Sequence, residues 1–93
     1  MSRELIRTTA FARALRRLLK KRSYAAPDIR DTLEILAADA FDPRLKTHKL
    51  TGELAGMWAC SAGYDLRVLF EFVDDEGEEA ILLHSIGTHE EVY

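Results

Sequence analysis

The segment that most constrains the fold is GYDLRVLFEFV at residues 63–73, in which apolar and polar residues alternate. Alternation places successive side chains on opposite faces of a β-strand. One face carries Leu66, Val68, Phe70 and Phe72, and the other carries Asp65, Arg67, Leu69 and Glu71. A charged turn, DDEGEE at 74–79, leads into the apolar run AILLHSIG at 80–87, which predicts a returning strand. The apolar face of this hairpin needs a covering layer.

The first half of the chain supplies that layer. Residues 11–22, FARALRRLLKKR, place Phe11, Leu15, Leu18 and Leu19 on one helical face, and Thr8 or Thr9 can cap the helix. Pro27 suits the first turn of a second helix, and Pro43 bars its continuation. The apolar stripe of that second helix comprises Ile29, Leu33, Leu36, Ala37 and Ala40.

The remaining segments complete the predicted sheet. RELIRT at 3–8 is predicted as an edge strand, MWACSA at 57–62 as a further strand, and HKLTGELAG at 48–56 as a polar loop. The predicted fold is therefore α+β with the order β-α-α-β-β-β. A helical hairpin packs on one face of a small antiparallel sheet, in a single domain spanning residues 1–93.

The sequence favours a cytoplasmic protein. No apolar stretch approaches the roughly 20 residues that span a bilayer, and the opening MSRELIRTTAF is not typical of a signal peptide. The single cysteine, Cys60, suits a reducing compartment and is expected to be buried rather than nucleophilic.

Charge is distributed unevenly along the chain. Residues 1–50 hold 12 Lys and Arg against 6 Asp and Glu, a net charge of +6, whereas residues 51–93 hold 1 against 10, a net charge of −9. The basic half can face phosphate. Two solvated faces that partly neutralise each other would explain the same counts, and charge counting leaves both explanations open.

Asp65 and Arg67 are expected side by side on the face that the helices leave uncovered. Such a pair is more commonly a surface ion pair, but it can also form the floor of a site, and composition does not choose between these. His48 and His89 taken alone are typical of surface histidines, whereas His84 within an apolar strand is typical of a structural one. Residues His48, His89 and Asp65 lack the close spacing of metal ligands.

Three segments in order resemble a known family. They are HKLTGELAGMW, YDLRVLFEF and LLHSIGTHEEVY. The chain resembles the RelE/ParE toxin superfamily of bacterial type II toxin–antitoxin modules, and is most similar to its YafQ-like branch. That branch shows a His-x-Leu-x-Gly loop, a strand with an acid and an arginine, and a closing Gly-Thr-His followed by an aromatic residue. The motifs cover residues 44–93, and element order and length extend the resemblance over the rest.

The resemblance implies a ribosome-dependent endoribonuclease that cleaves the mRNA codon in the ribosomal A site. It implies chemistry without a metal or cofactor, in which the RNA 2′-hydroxyl attacks the adjacent phosphate and a cyclic product forms. The implied partners are the ribosome with its rRNA, the A-site mRNA and a cognate antitoxin protein, which holds such toxins inactive in complexes that include heterotetramers. No membrane is implied.

The same resemblance implies roles for particular residues. His48 and His89 match the loop and C-terminal histidines and would carry acid–base roles, because both protonation states of histidine exist near neutrality. Asp65 matches the strand acid, Arg67 would grip phosphate, and Tyr93 would stack on a splayed base. The residues expected to bind RNA are basic: Arg13, Arg16, Arg17, Lys20, Lys21, Lys46 and Lys49.

The chain departs from the branch at two positions and in its charge. Ser61 stands where the branch often has a histidine, and Ser85 where it often has an arginine. The sequence pI is about 5.6, although many members are strongly basic. Two alternatives therefore stay open: a ParE-like toxin that targets DNA gyrase, and a catalytically weak relative that mainly binds its antitoxin.

Overall fold

The computed structural model describes residues 2–93, which form a five-stranded sheet with two long helices on one face. The strands are β1 (Glu4–Arg7), β2 (His48–Lys49), β3 (Trp58–Ser61), β4 (Leu66–Asp75) and β5 (Glu78–Thr88). The helices are α1 (Thr9–Lys21), α2 (Ala26–Ala38) and the short α3 (His89–Val92). Short 3₁₀ turns occupy Ser23–Ala25, Pro43–Leu45 and Gly52–Leu54.

The strand order is β1-β5-β4-β3-β2. The predicted α+β fold and its element order are confirmed, apart from the unpredicted helix α3 after β5 and two differences in the sheet. First, β1 pairs with β5 in parallel, whereas the other pairs are antiparallel. Because no tight hairpin joins β1 to its neighbour, the pairing direction is not restricted to antiparallel. Second, the predicted loop at 48–56 begins with β2, which pairs with Trp58 and Ala59 at the other edge.

The predicted start of α1 is confirmed, and the reason is a hydrogen bond. The Thr8 hydroxyl accepts a hydrogen bond from the backbone N–H of Phe11 at 3.0 Å and donates one to the Leu83 carbonyl at 2.8 Å. Thr8 thus caps the helix and attaches it to β5. Helix α2 ends at Ala38, so Pro43 is not what stops it. Pro43 instead opens a 3₁₀ turn.

The core lies between the helices and one face of the sheet. Phe11, Leu36, Val68 and Phe70 are fully buried there. A bulge interrupts the pairing of β4 with β5: Leu69 faces Ser85, and Phe70 faces Leu83, which leaves one extra residue, His84, in β5. The bulge allows both Leu83 and Ile86 to join the core although they are three residues apart.

In the part of the chain that the structure describes, no helix is long and apolar enough to cross a membrane.

Candidate functional site

The candidate site lies on the sheet face away from the core, at the C-terminal end of β5. There Arg67 of β4 faces Ser61 of β3 on one side and Gly87 of β5 on the other. A side-chain Cβ at Gly87 would lie 3.0 Å from Glu91 Oε1 and 3.2 Å from Glu91 Cβ. Glycine at this position therefore allows α3 to pack closely against the sheet beside Arg67.

Reciprocal hydrogen bonds hold α3 in this position. The Thr88 hydroxyl accepts from the Glu91 backbone N–H at 3.3 Å, and Glu91 Oε1 accepts from the Thr88 backbone N–H at 2.8 Å. This is a capping box. The hydrogen bonds with Thr88 lower the pKa of Glu91, and the Lys21 and Arg22 charges act in the same direction.

The capped turn presents His89 and Tyr93 together. Their ring centroids are 4.4 Å apart with the planes at 77°, an edge-to-face contact. Burial raises the pKa of Tyr93, and the charge of Arg67 acts in the opposite direction. Arg67 and His89 line one open cleft of about 570 Å³, together with Tyr64, Asp65, Thr88 and Glu90. The structure thus brings Asp65, Arg67 and His89 to one cleft, and the Tyr93 ring packs against His89.

Asp65 is placed differently from the prediction. It lies just before β4, and both of its carboxylate oxygens accept hydrogen bonds at 2.9 Å from Nη1 of Arg22, the residue that follows α1. This pair raises the pKa of Arg22. Of the two alternatives left open for Asp65 and Arg67, the surface ion pair does not form, because the end of α1 supplies a closer cation, but both residues line the same cleft.

Arg67 is consequently available to an anion. Its Nη1 donates a hydrogen bond to the Leu66 carbonyl at 2.9 Å. Within residues 2–93, no carboxylate lies within ion-pair distance of the Arg67 guanidinium. A guanidinium without an acidic partner can bind phosphate through two parallel hydrogen bonds.

His48 does not share the cleft with His89. It is exposed on β2, where its Nδ1 lies 3.0 Å from the Lys46 carbonyl oxygen. Three strand spacings separate β2 from β5, which corresponds to roughly 14 Å at the usual interstrand distance. The structure therefore separates the two histidines that were expected to act as an acid–base pair.

The basic residues predicted to bind RNA are all exposed. Arg13, Arg16, Arg17, Lys20 and Lys21 lie on the solvent side of α1, and Lys46 and Lys49 lie at the β2 edge. The Lys49 ammonium lies 5.7 Å from the Trp58 ring centroid, within cation–π range. Exposure makes these side chains available to RNA but does not by itself assign them to it.

Two residues of the site were not predicted from the sequence. Tyr64 is 99% exposed and borders the cleft. Its signal was its place in the turn between Gly63 and β4, where a large aromatic residue gains no core contact. Arg22 was only one of many cations in the α1 segment, and nothing local distinguished it as the partner of Asp65.

Other candidate groups are explained by packing. His84 Nε2 lies 3.1 Å from Glu71 Oε1 at the bulge, which agrees with a structural role. Burial raises the pKa of the Cys60 thiol to about 12, so the thiol stays protonated and unreactive at neutral pH. Among the residues described, no cluster of three His, Cys, Asp or Glu side chains could hold a metal ion.

Comparison with solved structures places this fold among bacterial toxins. YafQ from Escherichia coli strain BL21(DE3) superposes with a TM-score of 0.78 at 15% identity, covering 98% of both chains. The YoeB/ParE toxin from Agrobacterium tumefaciens gives 0.74 at 16% identity, covering 92% of this chain and 98% of that one. A metal-bound toxin from Helicobacter pylori gives 0.74 at 22% identity over 100% of both chains.

The sequence comparisons agree with the fold. No curated protein matches the chain. The family model described as "Bacterial toxin of type II toxin-antitoxin system, YafQ" matches residues 3–93. The predicted RelE/ParE superfamily and its YafQ-like branch are confirmed, and the chain belongs to the YafQ family of type II toxin–antitoxin toxins.

Proposed function

We propose that this toxin is an endoribonuclease that cleaves mRNA in the ribosomal A site. The observation that carries the proposal is the cleft in which an arginine without an acidic partner lies beside a histidine and a tyrosine. Family membership supports the same activity. Cleavage through the RNA 2′-hydroxyl needs a base, a proton donor and a fixed positive charge, and His89, the adjacent Tyr93 and Arg67 would supply one of each.

The roles follow from the chemistry of each group. Neutral His89 takes the proton of the 2′-hydroxyl, the 2′-oxygen bonds to phosphorus, and the bond from phosphorus to the 5′-oxygen breaks. Burial raises the pKa of the Tyr93 phenol. In this proposal the phenol donates its proton to the leaving 5′-oxygen and does not act as the base. Arg67 stabilises the phosphorane charge.

Asp65 and His48 take other roles in this proposal. Asp65, held by Arg22, fixes the start of β4 and thereby positions Arg67. His48 contacts the mRNA away from the reacting phosphate. The fully exposed Tyr64 ring is better placed to stack on a base than the Tyr93 ring, which already packs against His89.

Substitution of single histidines tests the assignment. We expect His89→Ala to lower cleavage by about 10²–10⁴-fold, the usual contribution of an acid–base group, and His48→Ala to have a much smaller effect. The measurement is mapping of mRNA 5′ ends after induced expression, with circular dichroism to confirm folding. His84→Ala is the matched control. Undiminished cleavage by folded His89→Ala protein would contradict the assignment. DNA damage without mRNA cleavage would favour DNA gyrase as the target. If the protein binds its antitoxin but causes neither mRNA cleavage nor DNA damage, the result would favour a relative that mainly binds its antitoxin.

We further propose that an antitoxin segment binds the apolar groove between α1, α2 and β1. This groove of about 510 Å³ is lined by Leu5, Leu15, Leu19, Ile29 and Leu33. The E. coli YafQ of the DinJ–YafQ toxin–antitoxin complex has the same fold, with a TM-score of 0.76 at 16% identity over 100% of this chain and 99% of that one. An amphipathic segment that folds on binding would cover such a groove.

The groove proposal has its own experiment. Leu15→Asp should weaken antitoxin binding, because it places a charge among the apolar side chains, whereas Arg13→Asp on the exposed face of the same helix should not. Isothermal titration calorimetry with the purified antitoxin gives both affinities. Equal affinities for the two variants would exclude the groove. The proposed function includes three further points: the toxin binds the ribosome, it is located in the cytoplasm, and it forms a heterotetrameric complex with its antitoxin.

A further inference from the structure

Three aromatic rings form a cluster at the edge of the core, just beyond the end of α2. Phe41 stacks on Phe72 with the ring centroids 5.7 Å apart and the planes at 21°, and it meets Trp58 edge-to-face at 5.5 Å. Trp58 and Phe72 are half-buried and pack against the core, whereas Phe41 is 54% exposed. The Phe41 ring is therefore supported by two other rings and still offers much of its surface to solvent.

Hydrogen bonds also hold the backbone that carries Phe41. The Phe41 N–H donates to the Asp39 carboxylate at 3.0 Å, and the Ala40 carbonyl accepts from the Thr47 hydroxyl at 2.6 Å. A side chain that is already ordered loses little conformational entropy when a ligand packs on it. The exposed ring is therefore a preorganised binding surface for a flat apolar group.

Two lysines without carboxylate partners lie beside the cluster. The Lys49 ammonium is 5.7 Å from the Trp58 ring centroid, and the hydrogen bond of Thr47 brings Lys46 close to the turn that carries Phe41. In the part of the chain that the structure describes, neither lysine forms an ion pair. Both ammonium groups are therefore available to the phosphates of a ligand that stacks on the exposed ring.

The carboxylates of this region already have partners. Asp42 accepts hydrogen bonds from the Arg44 guanidinium at 2.8 and 3.0 Å, and Glu79 forms an ion pair with Arg3. Of the three rings, only Phe72 lines the cavity that reaches the acidic turn between β4 and β5. The exposed end of the cluster therefore favours an anionic ligand with a flat ring.

We propose that Phe41 is a stacking platform for an unpaired base of ribosomal RNA, and that Lys46 and Lys49 bind the phosphates beside that base. Unpaired bases stack on aromatic rings, while cations neutralise the RNA backbone. Phe72 packs against the core, whereas Arg67 lies on the opposite face of the sheet, so the platform is separate from the cleft. The inference rests on the proposed ribosome binding and adds a contact away from the reacting phosphate.

Binding of a short oligonucleotide tests the platform. The probe is 2′-O-methylated hexaadenylate, which cannot be cleaved through a 2′-hydroxyl, and it should quench the fluorescence of Trp58, the single tryptophan. We expect Phe41→Leu to weaken binding about 5- to 150-fold, the usual effect of losing one base–aromatic stack, and Phe41→Tyr to retain it. Tyr24→Leu, at a residue 75% exposed outside the cluster, is the matched control. Equal affinities of the folded Phe41→Leu variant and the parent protein would overturn the proposal.

Ribosome binding separates this platform from catalysis and from a protein interface. In co-sedimentation, Phe41→Leu should weaken ribosome binding, and Lys46→Gln with Lys49→Gln should reduce the salt dependence by about one unit of slope per lost phosphate contact. Antitoxin affinity should be unchanged. Weaker antitoxin binding with unchanged ribosome binding would identify a protein interface and overturn the proposal. A protein that binds ribosomes through Phe41 but cleaves no mRNA would overturn only the proposed activity.

Discussion

At the scale of single residues, the site depends on which carboxylate each arginine binds. Asp65 and Arg67 are neighbours in sequence, yet Asp65 binds Arg22, which is 43 residues away. An arginine beside an acid in the sequence is therefore a poor indicator of its partner. Here Arg22 binds the Asp65 carboxylate, which leaves the Arg67 guanidinium available for phosphate.

The geometry of Arg67 should matter as well as its charge. We expect Arg67→Lys to reduce mRNA cleavage clearly while the protein stays folded, because lysine keeps the charge but lacks the planar fork of donors. The 5′-end mapping assay measures activity, and thermal unfolding measures stability. Arg3→Lys, in an ion pair with Glu79 at the opposite end of the sheet, is the control that should keep full activity. Equal activity of the two variants would mean that the planar fork of Arg67 is not needed for cleavage.

Part of this site was predictable residue by residue. The family resemblance indicated Arg67 and His89, which line one cleft in the structure, and Tyr93, whose ring packs against His89. The separation of His48 from His89 was not predictable in the same way. It depends on which strands lie between them, and the two-residue strand that carries His48 has too little sequence to reveal its pairing.

At the scale of elements, α3 determines where His89 and Tyr93 lie. Only four residues form this helix, and isolated helices of that length are unstable in water. The capping box and the close approach at Gly87 therefore stabilise it. Thr88 and Glu91 show the Thr-x-x-Glu spacing of a capping box, but the sequence analysis did not identify a helix there.

The capping box predicts a pH dependence of α3. The pKa of Glu91 is lowered from 4.5 in the folded protein, so its contribution to stability is present above the unfolded pKa and is lost as the pH falls through the lower folded value. We expect the NMR signals of His89 and Tyr93 to report loosening of α3 at that acidic pH, before the core unfolds. In Glu91→Ala protein, the loosening should already be present at neutral pH. Identical spectra for the variant and the parent would contradict this account.

The bulge in β5 explains why the sequence predicted the two strands but not which residues of β4 and β5 pair. The alternation of β4 correctly placed Leu66, Val68 and Phe70 in the core. The partner segment AILLHSIG has apolar residues at both odd and even positions, so its pattern fits two registers of pairing with β4. Tertiary packing decides between them by leaving His84 as the extra residue.

At the scale of the whole molecule, the two oppositely charged halves do not form separate bodies. The acidic residues of the β4–β5 turn lie at one end of the sheet, and basic α1 covers part of the helical face. The core joins both halves of the chain. The sequence predicted this arrangement of layers well, because layers follow from apolar periodicity, whereas the direction of β1 depends on pairing between distant segments.

The basic face of α1 leads to a prediction about how the whole protein binds ribosomes. We expect Arg16→Glu with Lys20→Glu to abolish ribosome binding, because each lost phosphate contact lowers affinity and reduces the salt dependence by about one unit of slope. Co-sedimentation with ribosomes at several salt concentrations measures both quantities. Antitoxin binding should persist, since neither side chain lines the apolar groove. Unchanged co-sedimentation would mean that these cations form a solvent-exposed helix face and do not contact the ribosome.

The parallel pairing of β1 with β5 also has a consequence for synthesis of the protein. Thr8, which caps α1, needs the carbonyl of Leu83, a residue that lies 75 positions later in the chain. At about 5–20 residues per second, translation separates the two residues by roughly 4–15 s. During this interval β1 and α1 lack their partner strand, and the His89 turn has not yet been made. A nascent toxin therefore cannot assemble its cleft until almost the whole chain has been translated, and an antitoxin already present in the cell can meet it as it folds.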